Sequence, residues 1–255
     1  MGEQRENSAW VRRFHPSPEG RVRLVCLPHA GGSAPFYFPM SQALSPAVDV
    51  LCLQYPGRQE RRLDPGIENI PDYADAIAAE LKPWLDVPTA FFGHSMGAVL
   101  AYEVALRLER DAGTGPVAVF ASGRRAPSRY REENVHRRDD DGIVKEMQLL
   151  SGTDARVLGN EEILRMVLPA IRSDYTAIET YRSEPGAAVR APITVFTGDD
   201  DPRTSLEEAE AWRAHTAGDF DIHVFPGGHF FLANHSQKII EIVSAKLSAA
   251  SSQQH

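Results

Sequence analysis

Ser95 stands at the centre of residues 93–97, which read Gly-His-Ser-Met-Gly. The apolar run 90–92 precedes this stretch, and a helical pattern begins at Met96. Glycines two residues before and after a serine, at a turn from strand to helix, are typical of a nucleophile elbow, because side chains there would collide with neighbouring backbone. The turn also sets the serine at a helix N-terminus, whose free N–H groups stabilise negative charge. The stretch therefore predicts Ser95 as a nucleophile.

His229 is the base that we expect to act on Ser95. An alcohol at neutral pH is a poor nucleophile and needs an imidazole to take its proton and a carboxylate to orient that imidazole. His229 follows two glycines, Gly227 and Gly228, which let a loop fold tightly after a predicted strand. The competing histidines lie near a helix start and within a strand: His235 and His223. The histidine inside the elbow, His94, is expected to point away from the target of the nucleophile.

Asp201 is the acid that we expect to orient the base. When the chain order is serine, acid, histidine, the acid falls between Ser95 and His229, and a run of three aspartates ends at Asp201. Pro202 restricts Asp201 to extended conformations, which helps to aim its carboxylate. Asp199 is the first competitor, although the two earlier aspartates could instead cap a helix or face water.

Two backbone N–H groups are predicted to form an oxyanion hole. One belongs to Met96, the residue after the nucleophile. The other belongs to the loop 28–33, which follows the predicted strand 23–27 and reads Pro-His-Ala-Gly-Gly-Ser. Ala30 is the expected donor of this loop. The alternative is a glycine-rich turn that only connects a strand to a helix.

Short apolar runs alternate along the chain with longer amphipathic ones, which favours a doubly wound α/β fold. Several runs are apolar on both faces, as in a parallel sheet covered by helices. The predicted strands span residues 23–27, 48–53, 89–92, 117–121, 193–197 and 221–225. Helical spacing of apolar residues recurs in the segments 73–85, 100–108, 207–217 and 236–247. In such a sheet, ligand chemistry lies at the C-terminal ends of the strands.

The interval 122–190 is too long for an ordinary connection between strands, so it should carry structure of its own. Residues 143–150 and 161–181 have helical periodicity, and three residues are expected to interrupt it: Gly152, Gly159 and Pro169. The interval is predicted to be a helical lid over the serine. The alternative is a helical layer with a purely structural purpose.

Composition and charge bound the remaining possibilities. The chain has 255 residues, a net charge of −8 and a pI near 5.6, which argues against nucleic-acid or anionic-membrane partners. We expect one domain over residues 21–247, with residues 1–20 and 248–255 as loose termini. Cys26 and Cys52 lie in apolar runs, as buried thiols of a reducing compartment would. With no hydrophobic leader or membrane span in the sequence, a cytoplasmic protein is expected. No metal or cofactor is implied.

Five ordered motifs resemble those of the type II thioesterases that accompany polyketide and nonribosomal peptide synthetases. The Tyr-Pro-Gly-Arg segment within 54–62 is the most distinctive, because generic esterases lack it. The five motifs span residues 27–34, 54–62, 92–98, 198–202 and 227–231. The resemblance covers about residues 20 to 247 and implies the α/β-hydrolase fold.

The resemblance further implies an editing hydrolase that removes acyl groups from the phosphopantetheine thiol of acyl or peptidyl carrier proteins. Carrier proteins are generally acidic, so attraction to this acidic chain would have to be local. The candidate contacts are arginines near the start of the interval 122–190 and in the Tyr-Pro-Gly-Arg segment: Arg124, Arg125, Arg129, Arg131, Arg58, Arg61 and Arg62. The alternative for such arginines is a solvated surface.

Three other functions remain open at this point. A carboxylesterase or lipase would use the same serine, histidine and aspartate on oxygen esters. A chain-releasing cyclase would normally be joined to a carrier domain. A non-catalytic binding protein would require a broken constellation, whereas Ser95, Asp201 and His229 are all present in the expected order.

Overall fold

The computed structural model describes residues 8–150 and 160–252, and its centre is a seven-stranded sheet within those residues. The strands are β1 Val11–Arg12, β2 Val22–Leu27, β3 Val48–Leu53, β4 Thr89–His94, β5 Val119–Ser122, β6 Ile193–Gly198 and β7 Phe220–Phe225. Their order across the sheet is β1-β3-β2-β4-β5-β6-β7. The pair β1–β3 is antiparallel, and the other pairs are parallel.

Helices cover both faces of this sheet. Their bounds are α1 Phe38–Leu44, α2 Ile70–Leu81, α3 Met96–Ala112, α4 Asp140–Leu150, α5 Glu161–Thr180, α6 Leu206–Glu210, α7 Phe231–Asn234 and α8 Ser236–Ser252. Every residue of the five strands β2 to β6 is buried. Successive side chains point to opposite faces of a strand, so each strand contributes to two cores. The predicted mostly parallel α/β-hydrolase sheet flanked by helices is confirmed.

The two cores follow this alternation. On one face Val25 and Leu27 of β2 pack with α2 and α3, whose predicted apolar residues at positions 73, 77, 81, 100, 104 and 108 are buried there. On the other face Leu24 and Cys26 pack with α1 and α8. The two cysteines are buried free thiols. None of the helices described is long and apolar enough to cross a membrane.

The interval between β5 and β6 carries α4 and α5, which share a small core of their own with Val135, Ile143 and Leu168 among its members. Residues 151–159, including Gly152 and Gly159, lie outside the described part of the chain. The expected interruption at Pro169 is wrong, because α5 continues through it. Proline removes one backbone donor, and the buried residues Leu168 and Ile171 on either side of it anchor the helix against its neighbours.

Near both ends of the described residues, the chain is more ordered than the sequence predicts. Within residues 8–20, Val11 is buried and pairs with Leu53 at the sheet edge. The Arg13 guanidinium donates to the buried Asp49 carboxylate at 2.9 Å. The expectation of a loose N-terminus is therefore wrong for these residues, because one short edge strand and one buried ion pair fasten them to β3. At the other end, α8 continues past position 247 to Ser252.

Replacing Val11 with alanine should lower the free energy of unfolding by about 1–2 kcal/mol, because two buried methyl groups are lost. Urea denaturation measures this change. Glu19→Ala, at an exposed position of the same segment, is the control and should leave the midpoint unchanged. Equal midpoints for Val11→Ala and the unmodified protein would mean that the segment is not docked in solution.

Candidate active site

The turn between β4 and α3 holds Ser95 in an unusual backbone conformation, with φ 55° and ψ −116°. A Cβ on Gly93 would stand 2.0 Å from the carbonyl oxygen of Gly97, and a Cβ on Gly97 would stand 2.0 Å from the carbonyl oxygen of Leu27. Both glycines are therefore required by space. The Ser95 N–H donates to the Ser122 carbonyl oxygen at 2.8 Å, which fixes the turn against β5.

Ser95, His229 and Asp201 meet at the C-terminal edge of the sheet. His229 Nε2 lies 3.1 Å from Ser95 Oγ. On the other side of the ring, His229 Nδ1 lies 2.9 Å from Asp201 Oδ2 and 3.1 Å from Oδ1. The Arg203 N–H donates to Asp201 Oδ1 at 2.8 Å. The Asp201 side chain is fully buried and His229 is 3% exposed, so water competes little for this chain of bonds.

The competing aspartates and histidines lie elsewhere. Asp199 accepts from the Gly227 N–H at 2.8 Å and so shapes the loop that carries His229. Gly227 has φ 124°, a conformation that favours glycine. Asp200 is exposed. His235 contacts the Pro226 carbonyl oxygen at 2.9 Å, and the His223 ring stacks on Phe196. Of these alternatives, none contacts Ser95.

Two further histidines, His29 and His94, surround the base. The His94 ring lies 5.1 Å from the His229 ring, and its Nδ1 is 3.0 Å from Ser122 Oγ. Burial, followed by the nearby charge of His229, lowers the pKa of His94. The same two causes, with Arg58, lower the pKa of His29 to about 3. Both residues lie inside predicted motifs, but their position beside His229 with a lowered pKa was not predicted.

The predicted oxyanion donors occupy suitable positions. Ala30 lines the cleft together with Ser95 and His229. Met96 is the first residue of α3, where backbone N–H groups have no acceptor within the helix. The next N–H of the loop, that of Gly31, donates to Asp174 Oδ2 at 2.7 Å. The roles of Ala30 and Met96 stay predictions.

A narrow cleft lies above Ser95 and is also lined by His29, Ala30 and His229. Tyr175 and Ile178 of α5 form part of its wall, and Arg124, Glu133 and Arg203 add charge. Burial lowers the pKa of Arg124 to about 9, with a contribution from the neighbouring Arg125. Burial alone would raise the pKa of Glu133, but the surrounding arginines lower it to about 2. The cleft is therefore lined by both charged and apolar side chains. In the part of the chain that the structure describes, no group of three or more metal-ligating side chains is found.

Several of the candidate carrier-docking arginines are used inside the protein. Arg58 is buried and paired with Asp174, and Arg125 is buried and paired with Glu133. Two more of these arginines pair with carboxylates: Arg131 donates to Glu208 at 2.6 Å, and Arg61 donates to Asp64 at 2.8 Å. Arg124 lines the cleft. For Arg58 and Arg125 a docking role is wrong, because their guanidinium groups are withdrawn from the surface. Arg62 and Arg129 are exposed.

This sheet order, with a serine elbow at the end of β4, defines an α/β-hydrolase fold. A family model described as "Thioesterase domain" matches residues 22–247. The chain is 58% identical over 226 residues to the probable cadicidin biosynthesis thioesterase of Streptomyces griseus, covering 89% of this chain. It is 46% identical to thioesterase PikA5 of Streptomyces venezuelae, over 95% of this chain and 86% of that protein.

Among solved structures, the type II thioesterase BorB from the borrelidin biosynthetic cluster superposes with a TM-score of 0.89 at 47% identity, covering 94% of this chain and 98% of that chain. The protein belongs to the thioesterase domain family. The resemblance found in the sequence is thus confirmed. The chain spans 62% of the length of the Streptomyces griseus relative.

The low pKa of His29 predicts a destabilisation in acid. Its pKa is about 6.5 when unfolded and about 3 when folded, so between these values the unfolded state binds one more proton and stability falls as the pH falls. Between pH 7 and pH 5, the protonation of His29 in the unfolded state should lower the free energy of unfolding by about 2 kcal/mol. His29→Gln should remove that part of the loss in urea denaturation at the two pH values. Phe36→Leu, which alters packing against the same ring but removes no titrating group, is the control. An unchanged pH dependence in His29→Gln would contradict the burial of a neutral imidazole.

Proposed function

We propose that this protein is a stand-alone editing thioesterase that hydrolyses acyl thioesters on the phosphopantetheine arm of acyl or peptidyl carrier proteins. Ser95 is the nucleophile, His229 the base and Asp201 the orienting acid. The observation that carries the proposal is that one imidazole lies within hydrogen-bond distance of both the elbow serine and a buried carboxylate. The relatives, which are named as biosynthetic and type II thioesterases, support the choice of substrate class.

In the first half of the reaction Ser95 Oγ attacks the thioester carbonyl carbon while His229 Nε2 takes the serine proton. Asp201 accepts a hydrogen bond from the Nδ1–H of His229, which fixes the tautomer that leaves Nε2 free to act as base. The N–H groups of Ala30 and Met96 stabilise the oxyanion of the tetrahedral intermediate. His229 then returns its proton to the departing sulfur, which releases the carrier thiol and leaves the acyl group on Ser95.

In the second half a water molecule attacks the ester carbonyl of the acyl-enzyme, and His229 takes one proton from that water. The second tetrahedral intermediate collapses, and the same proton passes to Ser95 Oγ as the carbon–oxygen bond to the enzyme breaks. A free carboxylic acid leaves, and Ser95 is regenerated. The net reaction consumes one water per thioester and needs no cofactor.

The rest of the domain assignment belongs to the same proposal. Residues 21–247 form one domain, and residues 122–190 act within it as the lid, because Tyr175 and Ile178 of α5 stand over the serine cleft. The acidic carrier approaches the rim of this lid, where the exposed Arg129 offers positive charge. Arg62 offers a second exposed cation. A cytoplasmic location belongs to the same proposal, and the buried free thiols of Cys26 and Cys52 support it.

Hydrolysis of an acyl-loaded carrier tests the proposal directly. The unmodified protein should convert acyl-carrier to free carrier, observed by mass spectrometry across a panel of acyl groups, and Ser95→Ala should abolish the conversion. A matched pair of small substrates, an acyl-N-acetylcysteamine thioester and the p-nitrophenyl ester of the same acid, is run beside it. Turnover of the oxygen ester with no turnover of any carrier thioester would indicate a general esterase instead. Unchanged turnover by Ser95→Ala would remove the enzymatic mechanism.

Asp201→Asn should lower kcat about 10⁴-fold, because an amide at this position stabilises the wrong histidine tautomer. Asp200→Asn, one residue earlier and exposed, is the matched control and should retain full activity. Thioester hydrolysis with a thiol-reactive reporter measures both. If the two variants were equally active, the acid would have to be a different carboxylate.

A further inference from the structure

Asp174, on α5, is a buried carboxylate outside the proposed triad, and three separate segments donate to it. The Gly31 N–H, in the predicted oxyanion loop, donates to Oδ2 at 2.7 Å. The Tyr73 hydroxyl, on α2, donates to Oδ1 at 2.8 Å. The Arg58 guanidinium, in the Tyr-Pro-Gly-Arg segment, forms an ion pair with Oδ2. Asp174 thus joins the lid, the oxyanion loop and the most distinctive sequence motif at one point.

The Tyr-Pro-Gly-Arg segment is itself built to hold this point. Arg58 also donates to the Pro56 carbonyl oxygen at 2.6 Å, which restrains its side chain. Burial acts against the charge of Arg58, but Asp174 and Tyr73 together more than offset that cost, so the pKa of Arg58 lies above its usual value. Gln54, at the start of the same segment, accepts from the Ala34 N–H at 2.9 Å just beyond the oxyanion loop. The segment therefore braces the loop from both sides.

The loop and α5 also touch directly. Gly31 has φ 73°, and a Cβ there would stand 2.8 Å from Cγ1 of Ile171 on α5. With its N–H bonded to Asp174, the peptide group that joins Ala30 to Gly31 is fixed in orientation, because a peptide is planar. The N–H of Ala30 belongs to the preceding peptide, only one residue away.

We infer that Asp174 is a positioning residue that orients the Ala30 N–H toward the oxyanion. It does so by accepting from the Gly31 N–H, while Arg58 and Tyr73 hold its carboxylate in place. Because Asp174 lies on α5, this orientation depends on the placement of the lid helix. The inference rests on the proposed function, in which Ala30 is an oxyanion donor. It gives the arginine of the Tyr-Pro-Gly-Arg segment a role in catalysis that involves no contact with the substrate.

Two double variants separate this role from simple stabilisation. Both carry Arg58→Met, so that no unpaired charge is buried. Asp174→Asn keeps a carbonyl oxygen that accepts from the Gly31 N–H, and its amide N–H can donate to the Tyr73 oxygen. Asp174→Leu has a similar volume but no acceptor. The leucine variant should have kcat about 10- to 100-fold below the asparagine variant, somewhat less than the loss caused by removing an oxyanion donor altogether. KM for a small acyl thioester should be the same within a factor of two.

A second buried ion pair provides the control. Arg23 and Asp49 pair at 3.2 Å near the N-terminal ends of β2 and β3, at the opposite edge of the sheet. Arg23→Met with Asp49→Asn should lower the unfolding midpoint and leave kcat unchanged. If the leucine and asparagine variants of Asp174 had equal kcat, or differed only in thermal stability, the positioning role would be refuted. If the leucine variant is recovered unfolded, Asp174→Ala with Arg58→Met, which likewise has no side-chain acceptor for the Gly31 N–H, replaces it with the same expected ratio.

Failure of the proposed function is recognised independently of this result. If the unmodified protein hydrolyses no thioester, the rate at which a fluorophosphonate labels Ser95 replaces kcat, since the tetrahedral phosphorus adduct also places an oxygen in the oxyanion hole. The leucine variant should then be labelled about tenfold more slowly than the asparagine variant. This decrease is smaller than the one expected when an oxyanion donor is removed altogether. Equal labelling rates would overturn the positioning role whatever the substrate is.

Discussion

The site depends on the close approach of α3 to the end of β2. At Gly97 the two backbones are so close that no side chain would fit between them. A Cβ at that position would lie 2.0 Å from the Leu27 carbonyl oxygen. Because β2 and β4 are neighbours, with Leu27 opposite Gly93 in the register, this contact sets the elbow serine directly beside the loop that leaves β2. The nucleophile and the predicted oxyanion donors are thus brought together by backbone packing, before any side chain contributes.

The remaining members of the site reach Ser95 across an intervening strand. β5 lies between β4 and β6, and its last residue, Ser122, contributes twice: its carbonyl oxygen accepts from the Ser95 N–H and its hydroxyl contacts His94. Beyond it, the loops after β6 and β7 are tied together through Asp199 and Gly227. This tie holds Asp201 and His229 as one unit. The aspartate that competed for the acid role in the sequence therefore supports the loop of the base.

The strand pattern, the elbow and the constellation of serine, acid and base were predictable, because each depends on local signals placed at the ends of strands. What the sequence could not provide are contacts between distant segments of similar composition. Arg58 and Asp174 are 116 positions apart, and nothing in either local pattern distinguishes a buried pair from two solvated charges. The same ambiguity led to Arg125 being considered for a docking surface. Pro169 illustrates the converse, since tertiary packing outweighs a local signal that normally ends a helix.

The histidines around the base show how burial sorts chemically similar groups. His29 and His94 are each held against aromatic rings and away from acidic side chains, so burial lowers the pKa of both. Each is therefore neutral at neutral pH, and neither adds a positive charge that would oppose the proton transfer to His229 in the proposed mechanism. His229 differs by its contact with a buried carboxylate, which in the proposed mechanism would stabilise the imidazolium formed as Ser95 attacks. In the proposed mechanism, the contact with one carboxylate thus distinguishes the base, His229, from its two neighbouring imidazoles.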